Sequence, residues 1–250
     1  MDNTFLIVAI LVSVVQFGRY LIMAGLAYYY FWVRNRAVNE PLKLQKQPYK
    51  QAQLLREIGN SFSFSVISGF AFALPFWEPI AKYSKLYTDP AEHSLVWLVL
   101  SVPVLIVLQD TYFYWMHRAL HSPALFRFHK VHHESRDPSP FTAYSFHWTE
   151  SLFEIAWFVP LTFIVPLHQG ALFIFGTIAL LLNINGHLGI EIYPESWKTH
   201  PVMQWMNSST AHNNHHKYFK GNYGFFFNFW DRVMKTATEI PAGKSTAKAA

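Results

Sequence analysis

The sequence contains no cysteine and few charged residues. Charged residues make up 14% of its 250 residues, against 52% hydrophobic and 18% aromatic residues. Without cysteine the chain forms no disulfide and offers no thiolate, so a bound metal depends on histidine, carboxylate or water ligands. So little charge on so large an apolar fraction is typical of an integral membrane protein rather than of a soluble domain.

Several motifs are also absent from the sequence. It has no Rossmann glycine fingerprint, no CxxCH haem motif and no GxSxG nucleophile motif. The net charge is +5, but the basic residues do not gather in one patch with interleaved aromatic residues, so we expect no nucleic-acid partner. Any redox chemistry therefore needs a metal and an external electron donor.

Long apolar runs predict about four to five membrane segments. Residues 5–33, 58–76 and 95–116 are long enough to span a hydrocarbon core. Residues 151–165 and 171–184 are apolar runs that are each short for a full crossing, and they form either one hairpin or two spans. The first run lacks a basic leader region, so we interpret it as a retained anchor. It contains Arg19, which we expect to face other helices or to snorkel, because a charge is unfavourable in lipid.

The distribution of charge orients these segments. Residues 34–57 carry six Lys and Arg against two Glu, which places this loop in the cytoplasm. The run 95–116 then returns to the cytoplasmic face. We therefore predict an all-α integral membrane helical bundle with a cytoplasmic, histidine-rich helical cap. Residues 1–94 hold the N-terminal membrane helices and the basic loop, residues 95–236 a histidine-rich catalytic region, and residues 237–250 a disordered tail.

Three histidine motifs follow the apolar run 95–116. One HxxxH and two HxxHH motifs supply eight imidazoles, from His117, His121, His129, His132, His133, His212, His215 and His216. Because helix positions advance about 100° per residue, three side chains of an HxxHH helix can converge on one point. Eight imidazoles are too many for one ion that keeps an open position, so the pattern predicts two metal ions.

Polar residues near these motifs suggest a supporting shell. Asp110 lies on the same helix face as His117 and His121, and a carboxylate in an apolar run needs a partner. We expect it to bond a ligand imidazole or a buried arginine. Asp231 and Arg232 are expected to brace the last motif. No metal role is expected for the isolated histidines His93, His168 and His200.

Residues 95–236 resemble the fatty acid hydroxylase and sterol desaturase superfamily of membrane di-iron oxygenases. The resemblance rests on the motifs DTYFYWMHRALH, FRFHKVHHESRDPSPFTAYSFHWTE, NGHLGIEIYP and HNNHHKYFKGNYGFFFNFWDRVMKT. It implies that the eight histidines above and His187 hold iron. Some members carry a further histidine where this chain has Asn183, which would hold iron through a water or its amide oxygen or lie beside the ligands, so the tenth ligand is open. His147 is the other candidate, either as a ligand or beside the ligands with Glu150 as its partner.

The resemblance implies an O2-dependent enzyme with two iron ions that hydroxylates or desaturates a C–H bond of a lipid. Electrons would come from cytochrome b5, a ferredoxin or a reductase. Zinc is a possible substitute, because imidazole does not discriminate between these metals. The alternative is a membrane zinc-binding protein or transporter, although a transporter places its ligands at mid-membrane depth. The sequence leaves open the lipid and the choice between hydroxylation and desaturation.

Overall fold

The computed structural model describes residues 3–45 and 49–238. Its helices are α1 (Asn3–Tyr28), α2 (Arg36–Asn39), α3 (Gln51–Ala73), α4 (Glu78–Ala81), α5 (Leu95–Leu120), α6 (Phe126–His129), α7 (Trp148–Ile155), α8 (Phe158–Ile164), α9 (Gln169–Gly186), α10 (Ser209–Tyr218) and α11 (Phe229–Val233). A π-helical stretch, Tyr29–Arg34, extends α1. Two short strands, β1 (Leu86–Tyr87) and β2 (Leu167–His168), pair in parallel. The predicted all-α class is confirmed.

Within the described part of the chain, four helices are long and apolar enough to cross a membrane. They are Asn3–Arg34, Gln51–Phe76, Leu95–Leu120 and Gln169–Gly186. Their outward side chains are apolar, as at Ile7, Val14 and Val99, each more than half exposed. Helices satisfy their own backbone groups, so such a surface suits contact with lipid. The predicted integral membrane bundle is confirmed.

Small residues allow the first two spans to pack closely. A Cβ on Gly69 of α3 would lie 2.8 Å from the carbonyl oxygen of Ala9 in α1, so no larger residue fits there. Nearby, Gln16 Nε2 donates a hydrogen bond to Ser68 Oγ at 2.7 Å. The Ser, Gly and Ala content of the second span therefore serves close helix contact.

The chain between residues 148 and 186 crosses the bundle twice. Leu86 of β1 pairs with Leu167 of β2, and β1 lies at the end of the bundle opposite the histidines. The broken pair α7 and α8 therefore carries the chain to that opposite end, and α9 brings it back. The prediction that the run 171–184 is short for a full crossing is corrected, because α9 extends over 18 residues.

The other end of the bundle gathers the histidine motifs, and we call it the histidine end. Trp32 Nε1 donates a hydrogen bond to the Leu188 carbonyl oxygen at 2.9 Å, which joins the end of the first span to the residues after α9. Residues 121–147 and 187–238 form a cap over this end. The predicted disordered tail begins at residue 237, and residues 239–250 of it lie outside the described part of the chain. Within the described part, the Thr238 N–H donates a hydrogen bond to Asn222 Oδ1 at 2.8 Å.

Candidate metal centre

Nine of the ten predicted ligands come together in two adjacent groups. Within each group the candidate ligand nitrogens lie within 4.8 Å of one another. The five-histidine group consists of His117, His121, His129, His133 and His215, and the four-histidine group consists of His132, His187, His212 and His216. Apart from His121, none of these residues is more than 5% exposed. The tenth, His147, lies in neither group.

Each HxxHH motif divides its ligands between the two groups. His129 and His133 belong to the five-histidine group, whereas His132 belongs to the four-histidine group. Adjacent residues leave a helix about 100° apart, so His132 and His133 face different centres. The last motif divides in the same way, with only His215 in the five-histidine group. The expectation that the three side chains of one HxxHH motif converge on one point is therefore wrong, because each motif contributes ligands to both groups.

The spacing of the ring nitrogens fits two metal ions. The Nε2 atoms of His121, His133 and His215 lie 3.1 Å from one another, as do those of His117 and His129. In the four-histidine group the corresponding distances are 2.9, 3.2 and 3.3 Å. An ion about 2.0 to 2.1 Å from each imidazole holds neighbouring ligands about 2.9 to 3.4 Å apart, from right-angled to tetrahedral arrangements.

The opposite ring nitrogens of most of these histidines have hydrogen-bond acceptors, whereas Nδ1 of His133 is buried without a partner in the described structure. His187 Nδ1 lies 2.8 Å from the Asn183 carbonyl oxygen, and His215 Nδ1 lies 2.7 Å from that of Gly221. The same contact to a backbone carbonyl is made by His117, His132 and His216. A neutral ring that donates from Nδ1 carries a bare lone pair on Nε2. Several such lone pairs facing one another require a cation between them, which supports metal binding.

Burial keeps these imidazoles neutral. It lowers the pKa of His215 to about 3 and that of His187 to about 4, because the charged ring would lose its hydration. The pKa values of His132 and His216 also lie well below the ordinary range, first from burial and then from neighbouring imidazoles. Neutral imidazole is the form that binds a metal.

Glu150 orients a ring of the five-histidine group. The residue is fully buried, and its Oε1 accepts a hydrogen bond from His129 Nδ1. The expected pairing of Glu150 with His147 is corrected. His147 caps the start of α7, where its Nδ1 lies 2.6 Å from Thr149 Oγ1. The turn of α7 therefore points Glu150 inward and leaves His147 at the edge of the centre.

Glu57 organises the loop after the second motif. From the sequence, only its charge was considered. Glu57 is fully buried in α3, and its carboxylate accepts hydrogen bonds from Tyr49, Gln53, Ser135, Ser139 and Thr142. Ser135 in turn offers its carbonyl oxygen to His216 Nδ1 at 3.0 Å. The available signal was the hydroxyl-rich sequence SRDPSPFT beside the motif.

Gly221 makes the turn that follows α10. Its φ is +74°, in the left-handed region, and a Cβ there would lie 2.5 Å from the Thr236 carbonyl oxygen. Only glycine fits both conditions. The turn directs the Gly221 carbonyl oxygen at the ring of His215.

Asp231 braces the strand-like segment after this turn. Its carboxylate accepts the backbone N–H groups of Tyr223 and Gly224 at 2.9 and 2.7 Å. The Tyr223 carbonyl oxygen lies 2.9 Å from His117 Nδ1, so the brace reaches a candidate ligand. Arg232, in contrast, bonds the Gln204 backbone at the exposed edge.

Asp110 and Asn183, the two residues predicted to lie beside the ligands, contact backbone groups with their side chains. Asp110 Oδ1 accepts the N–H groups of Phe226 and Phe227 at 2.8 and 3.0 Å, not a ligand imidazole or an arginine. The Asn183 amide donates to the Ala143 carbonyl oxygen at 2.7 Å. Both residues therefore position loops that surround the histidines.

The isolated histidines lie in neither group of the described residues. His93 and His168 pack against Tyr87 at the end of the bundle opposite the centre. His200 accepts the Met203 N–H and stabilises a turn.

A cavity of about 480 Å³ lies within the bundle and borders the centre. It is mostly apolar and is lined from α1, α3, α5, α7, α8 and α9. A smaller cavity against the histidine rings shares Phe146, Asn183 and Phe225 with it. A cavity of this size and character suits an apolar ligand.

The fold and the two histidine groups define a membrane protein with a candidate two-metal centre. The family model described as "Fatty acid hydroxylase" matches residues 102–236, more than half of the chain. The chain belongs to this family, as the sequence motifs indicated.

Curated relatives come from animals and fungi. Lathosterol oxidase of Homo sapiens is 31% identical over 238 residues, which cover 93% of this chain and 76% of the human protein. The Delta(7)-sterol 5(6)-desaturase erg3B of Aspergillus fumigatus is 31% identical over 195 residues, which cover 76% of this chain and 55% of the fungal protein. The chain thus spans about half the length of this fungal relative. No solved structure gives a significant match to the chain.

Proposed function

We propose that the chain is an oxidoreductase that uses two iron ions, O2 and external electrons to hydroxylate or desaturate a C–H bond of a sterol or related lipid. The observation that carries this proposal is the pair of buried histidine groups beside a lipid-sized cavity. The names of the relatives, lathosterol oxidase and Delta(7)-sterol 5(6)-desaturase, favour a sterol as the substrate.

In this proposal the histidines of the two groups hold the metal ions. Bound iron would supply the activation of O2 and the oxidation of an unactivated C–H bond, chemistry that protein side chains lack. The backbone carbonyls and Glu150 fix the ring orientations through Nδ1. The apolar cavity walls exclude water and hold the substrate carbon near the centre.

The number of ligands favours a redox enzyme over a structural zinc site. Structural zinc is almost always held by four ligands in a closed tetrahedron. Five imidazoles exceed that number, whereas a six-coordinate ion would keep one further position for another ligand.

The position of the ligands disfavours a transporter. A transporter places polar ligands along a path at mid-membrane depth. All nine histidines here lie at one end of the spans or in the cap beyond them.

We further propose that the histidine end faces the cytoplasm. The exposed Arg34 ends the first span and the exposed Arg36 follows it at this end, which agrees with the excess of basic residues in cytoplasmic loops. An external donor such as cytochrome b5, a ferredoxin or a reductase would then deliver electrons from that side.

The test is a single-turnover reaction. Protein purified anaerobically and loaded with iron is mixed with reductant, O2 and lathosterol, and products are identified by mass spectrometry. We expect an O2-dependent product that has gained one oxygen atom or lost two hydrogen atoms. His132→Ala should abolish it, and His168→Ala, at the opposite end, should not. Absence of any O2-dependent product from lathosterol and from a total lipid extract would refute the proposal.

A further inference from the structure

Arg19 is a charged residue in the middle of the first span. It follows Asn3, the first residue of α1, by 16 positions in a span of 32 residues. An ionisable group at such depth is unfavourable in lipid and commonly marks a functional position. Arg19 lines the large cavity, and its Nε atom is buried without a hydrogen-bond partner in the described structure.

Several contacts hold the Arg19 guanidinium in place. Nη1 donates to Thr177 Oγ1 at 3.2 Å, and the guanidinium carbon lies 5.4 Å from the centre of the Phe173 ring. The side chain also interacts with the Tyr144 hydroxyl. Gly176 makes room for it, because a Cβ there would lie 3.3 Å from Nη2. The guanidinium is thus held at the cavity wall, with its buried Nε donor unused in the described structure.

Unused acceptor capacity lies on the facing walls of the same cavity. Gln109 Oε1 is buried without a partner among the described residues, and the Glu154 carboxyl also lines the cavity. One apolar cluster joins these walls through Leu105, Trp157 and Phe175. Gln109 follows Leu105 by one helical turn, and Glu154 precedes Trp157 by three residues. Arg19 contacts α9 next to Phe175. All three polar groups line the same cavity.

A hydroxyl group matches this arrangement. It accepts a hydrogen bond from a guanidinium and donates one to an amide or carboxyl oxygen. A pure hydrocarbon would leave Arg19 Nε and Gln109 Oε1 unpaired, which is unfavourable for buried polar atoms. We propose that Arg19, Gln109 and Glu154 form a subsite for the hydroxyl group of the lipid substrate, an inference that rests on the proposed function.

The subsite lies far from the metal centre. Thr177, which bonds Arg19, precedes His187 by ten residues on α9, or about 15 Å of helix. A lipid bound through its hydroxyl would present to the centre a carbon many bonds away. A sterol bound by its ring hydroxyl would present its side chain, not the ring carbons next to the hydroxyl.

Binding to metal-free protein tests the subsite without any turnover. The probes are lathosterol and its 3-methyl ether, which cannot donate a hydrogen bond. Dissociation constants are measured in detergent by quenching of tryptophan fluorescence. A second pair, 1-octadecanol and its methyl ether, extends the comparison to a lipid that is not a sterol. We expect each alcohol to bind about tenfold more tightly than its ether, the effect of one buried hydrogen bond.

The variants separate the subsite from general lipid binding. Gln109→Leu should bind alcohol and ether with similar affinity, because the acceptor of the hydroxyl proton is lost. Arg19→Met, which loses a donor that both the alcohol and the ether oxygen accept, should bind both ligands about tenfold more weakly. Arg34→Met, at the exposed end of the same span, is the matched control and should keep both the affinity and the preference. Gly176→Ala, which displaces the guanidinium without removing its charge, should weaken the binding of both ligands and serves as a second variant where Arg19→Met fails to fold.

The outcomes distinguish the subsite from the proposed reaction. Equal binding of alcohol and ether in both pairs by the unmodified protein, or unchanged affinity for both ligands in Arg19→Met, would overturn the subsite. A clear preference for the alcohols together with no O2-dependent product would refute the proposed reaction and leave the subsite intact.

Discussion

At the residue scale, histidines such as His187 and His215 use both ring nitrogens. Nδ1 contacts a backbone carbonyl oxygen, and Nε2 faces the neighbouring imidazoles of its group. The sequence identified the nine histidines that the structure groups together, because their spacing is a local pattern. It did not show how they divide into two groups, since that depends on how separate motifs meet. It offered Glu150 only as the nearest possible partner of His147 in sequence, whereas the first turn of α7 directs Glu150 to His129. Sequence proximity is a weak guide where helix direction decides the contact.

Removing one imidazole from either group should remove one metal ion. We expect His215→Ala or His132→Ala to lower bound metal by about one ion per chain and activity by at least about 100-fold, the upper range for supporting residues. Metal analysis of the purified variants measures this. His168→Ala is the control, and unchanged metal content in both ligand variants would mean that the histidines have another role.

Acid should destabilise the metal-free protein. The folded pKa values of His215 and His187 are lowered to about 3 and about 4, while the unfolded chain takes up protons near pH 6.5. Stability is therefore fully present above about pH 6.5 and is lost as the pH falls toward these folded values, by about 1.4 kcal/mol per imidazole per pH unit. Thermal unfolding in detergent at pH 7.5 and 5.5 measures the effect. Equal unfolding temperatures would contradict the burial of neutral imidazoles.

At the scale of elements, loops around the histidines are held by buried carboxylates from distant helices. Glu57 holds the loop after the second motif, and Asp110 holds the segment at Phe226 and Phe227. The sequence predicted Asp110 as a supporting residue from its place on a helix face, but not its backbone partners. It missed Glu57 because the hydroxyl donors lie about 80 residues further along the chain.

Replacing Glu57 should loosen the four-histidine group. In Glu57→Leu the hydroxyl groups of Ser135, Ser139 and Thr142 lose a charged acceptor, and each such bond contributes about 1.5 to 3 kcal/mol. We expect a lower unfolding temperature and loss of metal, because the Ser135 backbone orients His216. Glu78→Leu, an exposed glutamate at the opposite end, is the matched control. Normal metal content and stability in Glu57→Leu would refute this role.

At the scale of the whole molecule, the helix bundle holds a cap at one end and a cavity between its spans. Hydropathy predicted three long spans because apolar runs are local, and the structure confirms these and adds α9 as a fourth. The sequence left open whether residues 151–184 form one hairpin or two spans, because each of the two apolar runs is short. The partner of Arg19 was also out of reach, because it lies on α9, 158 residues away.

The orientation of the bundle can be tested with single cysteines, since the natural chain has none. Arg36→Cys places a thiol at the histidine end, and Glu92→Cys places one at the opposite end; both positions are exposed. In sealed vesicles with the cytoplasmic face outward, we expect an impermeant maleimide to label Arg36→Cys only. Labelling of Glu92→Cys alone would place the histidine end on the other side of the membrane.

The central claim is that the two histidine groups hold two iron ions in one chain. The most direct measurement is the iron content of protein purified anaerobically after expression with iron, quantified by elemental analysis against protein concentration. We predict close to two iron ions per chain and little zinc. Less than one iron per chain, with zinc-loaded protein as active as the iron form, would contradict it.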